Sequence, residues 1–139
     1  MKHKQVHRQI VAILEANALG WAETSSGELH LRFSSAAITI QLADWGAQTL
    51  IHISSQVLSG VAAGTKRILM ELNELNMKSH FGRWVYYRDS RAIAVEYDLL
   101  GDHLQENELM TALAAVARVA DYHDDALQQK FGGARAFEG

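Results

Sequence analysis

Apolar residues recur every three to four positions along residues 3–19, where Val6, Ile10, Ile13 and Leu14 form a stripe and Lys4, Arg8, Glu15 and Asn17 point away. That spacing predicts an amphipathic helix, which Gly20 ends. The period then shortens to two. Trp21–Thr24 reads as a short edge strand joined through Ser25-Ser26-Gly27 to Glu28–Phe33, where Leu29, Leu31 and Phe33 alternate with His30 and Arg32. Ser34-Ser35 turns the chain, and Ile38, Ile40 and Leu42 repeat the alternation up to a turn at Asp44-Trp45-Gly46. Gln48–Ser54 is the next strand, with Ile51 and Ile53 toward the core, and a looser piece bearing Gly60 and Gly64 follows.

Helical spacing returns in the segment from Lys66, where Ile68, Leu72 and Leu75 share a face that Leu69 widens; it fades over Met77–His80, and Gly82 supplies the exit. Arg83–Arg88 is rich in Trp, Val and Tyr and suits a strand. After a turn at Asp89-Ser90-Arg91, Ala92–Leu99 alternates, with Ile93, Val95, Tyr97 and Leu99 on one face and Ala94, Glu96 and Asp98 on the other. Past Gly101-Asp102, Leu109, Leu113, Val116, Ala120, Leu127 and Phe131 hold helical spacing over roughly Glu106–Lys130 until Gly132-Gly133, beyond which the last residues are expected to fray.

The order is therefore helix, three or four strands, helix, two strands, helix. Strands joined by short turns make an antiparallel meander, and clean alternation within each strand means that one face is covered and the other partly wet. The expectation is an α+β domain, residues 1–139 as one unit, with an antiparallel sheet carrying its helices on one face.

Composition narrows the function classes. With 139 residues and a net charge of −3, the chain lacks the concentrated basic surface that phosphate binding needs, so nucleic acid is not expected as a partner. Cysteine is absent, which removes disulfides, thiolate metal sites and thiol catalysis. No apolar run reaches the roughly 18–20 residues of a membrane span. Arg8, Gln9 and Glu15 interrupt what would be a signal core, so the reading is cytoplasmic.

Catalytic signatures are scarce. The seven histidines show no HExxH spacing; His3 and His7, one helical turn apart, read as solvated. Asp121, His123, Asp124 and Asp125 lie close in sequence, and with Asp98 and Asp102 they are the residues a metal-assisted enzyme would use. Asp102 reads more simply as a cap for the last helix or its preceding turn. Ser25-Ser26, Ser34-Ser35 and Ser54-Ser55 sit at turns or strand ends outside any GxSxG, and Gly60–Gly64 lacks the ending of a P-loop. Neither a metal nor a cofactor is expected. In Arg83–Arg88 the large residues exceed what one covered face can bury. Either Trp84 and Tyr86 or Val85 and Tyr87 look outward, as a partner surface or as a cross-strand pair resting on Ala94.

Leu72-Asn73-Glu74-Leu75-Asn76, then Phe81-Gly82, Leu99-Leu100-Gly101-Asp102, Ala120-Asp121 and Phe131-Gly132-Gly133 together resemble the YbjN family, itself similar in fold to the class I (CesT/Tir-type) chaperones of type III secretion. The element order extends the resemblance over nearly the whole chain, and its motifs are strongest over residues 68–133. It implies a bacterial, cytoplasmic, non-enzymatic chaperone or adaptor, often a homodimer, that binds an extended peptide of a protein client. Such a client would pair with a strand edge or lay apolar side chains into grooves beside the sheet and first helix, touching Val6, Ile10, Trp84 and Tyr86. The motif residues Leu72, Asn73, Leu75, Asn76, Phe81, Gly82, Gly101 and Asp102 are expected to be structural, the asparagine amides satisfying backbone where helix meets hairpin. The competing readings are a subunit of a hetero-complex whose sheet edge pairs with another chain, and the metal-assisted enzyme above.

Overall fold

The computed structural model describes residues 2–135, with side chains from residue 3. Its elements are α1 (Lys2–Ala16), β1 (Trp21–Glu23), β2 (Leu29–Phe33), β3 (Ala36–Trp45), β4 (Gln48–Ser59), α2 (Thr65–Lys78), β5 (Arg83–Tyr87), β6 (Ala92–Leu100), α3 (Glu106–Phe131) and β7 (Ala134–Arg135). The sheet is antiparallel throughout, in the order β1-β2-β3-β4-β6-β5, and β7 adds to the end of β4. This is the expected α+β architecture.

Register explains the one-sided core. Leu29 pairs with Ile40, Ile40 with Ile53, and Ile53 with Tyr97, so these side chains stack across four strands on one face. Trp84 opposite Val95 and Tyr86 opposite Ile93 continue that face onto β5. α3 lies along it against β2, β3, β4 and β6; α1 covers β3 and β4, and α2 leans on β5. Ile10, Leu14, Ile68, Leu72, Leu109, Leu113 and Val116 complete the cluster. Each such fully buried aliphatic side chain contributes about 1.5–3 kcal/mol.

Several boundaries differ from the sequence reading. α1 stops at Ala16 because Ala18 adopts a left-handed conformation (φ 57°) and Leu19 N–H reaches back to Leu14 O at 2.9 Å, a Schellman-type cap formed without glycine. β3 runs through Asp44 and Trp45 to a two-residue loop at Gly46-Ala47, where Gly46 supplies the positive φ. β4 continues five residues past Ser54. Ser54 and Ser55 are mid-strand, paired with Glu96 and Val95, and a bulge between Gln56 and Leu58 follows. Beyond α3, Ala134 and Arg135 are not frayed but pair with Ser59 and Leu58. Gly133 allows this, because a Cβ there would sit 2.5 Å from Ser59 O. Residues 136–139, also expected to fray, lie outside the described residues.

Asp102 does not cap α3. That helix begins with a capping box between Gln105 and Glu108. Asp102 Oδ1 instead accepts the Thr49 N–H at 3.0 Å while Gly101 N–H donates to Thr49 O at 2.8 Å, so the loop after β6 clasps the start of β4. Gly101 also lets α1 approach: a Cβ there would lie 2.7 Å from a Val6 methyl.

Candidate functional site

The residues expected to meet a partner are placed in the interior. Val6 and Ile10 are on the buried, sheet-facing side of α1, and Trp84 is only 4% exposed. Tyr86 is half-buried, its hydroxyl enclosed and without a hydrogen-bond partner among the described residues. Register turns Trp84 and Tyr86 to the face they share with Val95 and Ile93, under α2 and α3, and helical spacing turns Val6 and Ile10 toward the sheet, so of these four side chains Trp84 alone lines a groove between helices. Val85 and Tyr87 are the pair that looks outward, with Val85 opposite Ala94.

β5 is an edge strand, and the helix before it closes that edge. Asn76 Oδ1 accepts the Trp84 N–H at 2.7 Å, and Asn76 Nδ2 donates to Trp84 O at 3.1 Å. One amide side chain thus occupies both backbone groups that a further strand would use at this position. Ser79 Oγ donates to Gly82 O at 3.0 Å, and Gly82 takes a φ of 89°, which turns the chain from α2 into β5. Phe81, just before it, is exposed and stacks on Tyr97 with ring centroids 6.5 Å apart. Leu72 is buried and Leu75 half-buried, whereas Asn73 is exposed and reaches only Met77 Sδ at 3.6 Å. The other edge, β1, spans three residues.

The helix-free sheet face carries a polar network. Arg83 donates to Asp98 at 2.8 Å and to Glu96 at 3.1 Å, His52 Nδ1 lies 2.6 Å from Asp98, and the Tyr87 hydroxyl donates to Glu96. These neighbours fold over Glu96 so closely that it is 4% exposed on a face no helix covers. Its carboxylate, accepting the phenolic proton, together with partial burial, pushes Tyr87 up to about 12. Burial works to raise Asp98, but hydrogen bonds from His52 and Arg83 and the guanidinium charge outweigh it and hold Asp98 below the ordinary carboxylate value. Burial opposes the charge on Arg83, yet the two carboxylates raise its pKa. Every charge in this cluster has its partner, so the network staples β4, β6 and β5 together.

The acidic residues singled out for metal chemistry are dispersed. Asp98 belongs to the network just described and Asp102 holds Thr49. Asp125 pairs with Arg135, and His123 packs edge-on against Trp84 at 5.6 Å. Among the described residues no group of three or more histidines and carboxylates is placed to hold a metal ion. His3 and His7 lie near carboxylates, Asp44 at 2.9 Å and Glu23 at 2.8 Å, with neither Nε2 aligned for a hydrogen bond among the described residues.

Two of the grooves on the described surface run beside helices. One, of about 630 Å³, lies between the N-terminal half of α1 and the sheet; Glu23 and Glu28 on its wall are already engaged by His7 and Gln41. The other, of about 610 Å³, lies between the C-terminal half of α2 and the middle of α3. Its floor is Leu75, Phe81, Trp84, Ala114, Ala115 and Val119, and Lys78 and Arg118 stand at its rim. Periodicity had placed alanines on α3 but could not show which of them face a neighbour across open space. Away from this groove α2 also exposes Leu69, Met70 and Met77, the first two lining a separate shallow groove with Asn73 and Glu74. No helix among the described residues is long and apolar enough to cross a membrane.

A search of curated proteins finds no match. Among solved structures the chain is similar to the crystal structure of an uncharacterized protein from Methanothermobacter thermautotrophicus, with a TM-score of 0.61 and 11% identity over 90% of this chain and 97% of that one, which shows a shared fold. A family profile described as "T3SS (YopN, CesT) and YbjN peptide-binding chaperone 1" matches residues 2–139. With that match running through all the described elements, the chain belongs to the TY-Chap1 family of peptide-binding chaperones.

Proposed function

We propose that this protein is a non-enzymatic chaperone or adaptor of the cytoplasm that holds an extended segment of a protein client and works as a homodimer. The observation that carries the reading is the family match over residues 2–139. The geometry supports it in two ways. The Arg83, Glu96, Asp98 and His52 cluster is paired within itself, and the described surface offers grooves and exposed apolar side chains. Asn76 blocks β5 at Trp84 and β1 is short, so strand addition has little edge to use, and a client is better accommodated by side chains seated in a groove.

Dimerisation is assigned to the outer side of α2. Leu69, Met70 and Met77 are exposed on this one helix, and apolar groups grouped in this way favour burial against a second copy. On α3, Ala112, Ala117 and Ala120 are buried against the protomer's own sheet, and Ala114 and Ala115 line the groove beside α2.

An array of random 12-residue peptides probed with the purified protein, followed by hydrogen exchange on the best binders, tests the function. Reproducible binding with local protection of backbone amides is expected. Absence of binding across the array, with unchanged exchange, refutes peptide binding. Light scattering tests the dimer: a dimer converted to monomer by Met70→Glu is expected, whereas a monomer at all concentrations removes that part.

A further inference from the structure

We propose that the groove between α2 and α3 is the client seat, and that it selects segments in which an apolar side chain is flanked by carboxylates. The proposal rests on the peptide-binding reading above and adds the site and the chemistry of its ligand.

The groove exists because of where small residues fall on α3. Thr111, Ala114, Ala115, Arg118, Val119 and His123 share one flank of the helix, and the two alanines leave the space toward α2 unfilled. At the far end the same two helices are joined, by the Lys130–Glu71 ion pair and by Arg67 lying 5.8 Å over the Phe131 ring. They meet there and part toward Leu75 and Lys78, which leaves a trough of about 610 Å³ that is open to an incoming chain. That volume lies within the range that holds a few side chains of a ligand.

Its chemistry is one-sided. The floor is apolar and aromatic, and the lining contains Lys78 and Arg118 but no aspartate or glutamate. The whole chain carries a net charge of −3, so a wall free of carboxylates runs against its overall composition. Neither Lys78 nor Arg118 forms an ion pair among the described residues, in contrast to Arg83, Lys130 and Arg135. The groove beside α1 differs, since its carboxylates are already engaged by the chain's own side chains. Unpaired cations bordering an apolar floor are complementary to a segment that brings both an apolar anchor and carboxylates, and Arg118 has the fork geometry for bidentate binding. His123, beside Trp84, is held below the ordinary histidine value by burial and by Lys130, so near neutral pH it adds a ring face without repelling a cationic rim.

Three synthetic 10-residue peptides decide this: a Leu-Phe core flanked by glutamates, the same core flanked by lysines, and glutamates around a serine core. Titrations followed by fluorescence anisotropy and by NMR shifts of the Ala114 and Ala115 methyls are expected to show the first binding on the order of tenfold or more tightly than the others, with a marked loss at high salt. Arg118→Glu, on an exposed helical position, is expected to weaken it by a similar factor. Ala115→Leu, which keeps helix propensity and fills the trough, is expected to abolish the methyl shifts of Ala114. If the acidic apolar peptide binds but shifts residues elsewhere, the groove assignment is wrong; if the lysine peptide binds equally well, or none of the three binds while array peptides do, the carboxylate selection is wrong; in each case peptide binding stands. If neither these peptides nor any in the array binds, both fall.

Discussion

Replacing Asn76 is the sharpest test of how this fold protects its sheet edge. The side chain makes two bonds to one residue, 2.7 Å from the Trp84 N–H and 3.1 Å to the Trp84 carbonyl. Asn76→Ala deletes both. Each such bond is worth about 0.5–1.5 kcal/mol net, and a buried group left unpaired costs about 1–3 kcal/mol. Two terms reduce the sum. Asn76 is on an exposed turn of α2, so water can enter, and alanine is the better helix former by about half a kcal/mol. The expected destabilisation is therefore about 1–2.5 kcal/mol, read from urea unfolding followed by tryptophan fluorescence. Asn73→Ala is the internal control. Asn73 sits three residues earlier in the same motif, is exposed, and makes only a weak contact to Met77 Sδ, so its replacement should shift stability by less than about 0.5 kcal/mol. Hydrogen exchange at the Trp84 amide should accelerate in the first variant and not in the second. With the edge unblocked, Asn76→Ala should also self-associate more at high concentration. Equal stability of the two variants, with unchanged exchange at Trp84, would show that the amide bridge contributes nothing and refute the reasoning.

Other outcomes follow from the same geometry. Gly101→Ala should cost about 1–3 kcal/mol through the clash with Val6, and Val6→Ala in the same chain should recover part of it; simple additivity in a double-mutant cycle would contradict this. Ultraviolet titration should find one tyrosine ionising near 12, and Glu96→Gln should bring that value back toward the ordinary 10; an unmoved titration would exclude the Tyr87–Glu96 bond. Stability should also fall in acid in two stages. His123 has a depressed folded pKa, so the unfolded chain binds more protons below the ordinary histidine value of 6.5, and stability declines as pH drops from there. Asp98, likewise depressed, contributes stability that is full above the ordinary 3.8 and lost as pH falls through its lower folded value. His123→Gln should flatten the first stage and Asp98→Asn the second, both checked by thermal melts across pH.

Much of the architecture was written into local pattern. The shift from a period near 3.6 to a period of two, and back, located three helices and the meander, because side-chain direction repeats with backbone geometry alone. The face assignment of β6 was readable for the same reason: Ile93, Val95, Tyr97 and Leu99 lie toward the helices. The resemblance carried by the motifs on α2 and after β6 named the family. Sequence patterning could not choose between the two faces of β5, where Trp84, Val85, Tyr86 and Tyr87 are all large. Pairing with β6 made that choice, since opposite residues on adjacent strands must share a face. Nor could local rules find the mid-strand course of Ser54-Ser55 or the strand at Ala134–Arg135, because both depend on partners distant in sequence.

The candidate site divides the same way. Arg118, Lys78 and the alanines of α3 are individually unremarkable positions on amphipathic helices, and a helix's own periodicity says which residues share a flank but not what stands opposite. Packing of α2 on β5 and of α3 across the sheet set those flanks apart and left a cationic rim above Trp84. Periodicity is a property of neighbours along the chain and so determined the elements; a groove is bounded by residues far apart in the chain, and only the tertiary arrangement could decide it.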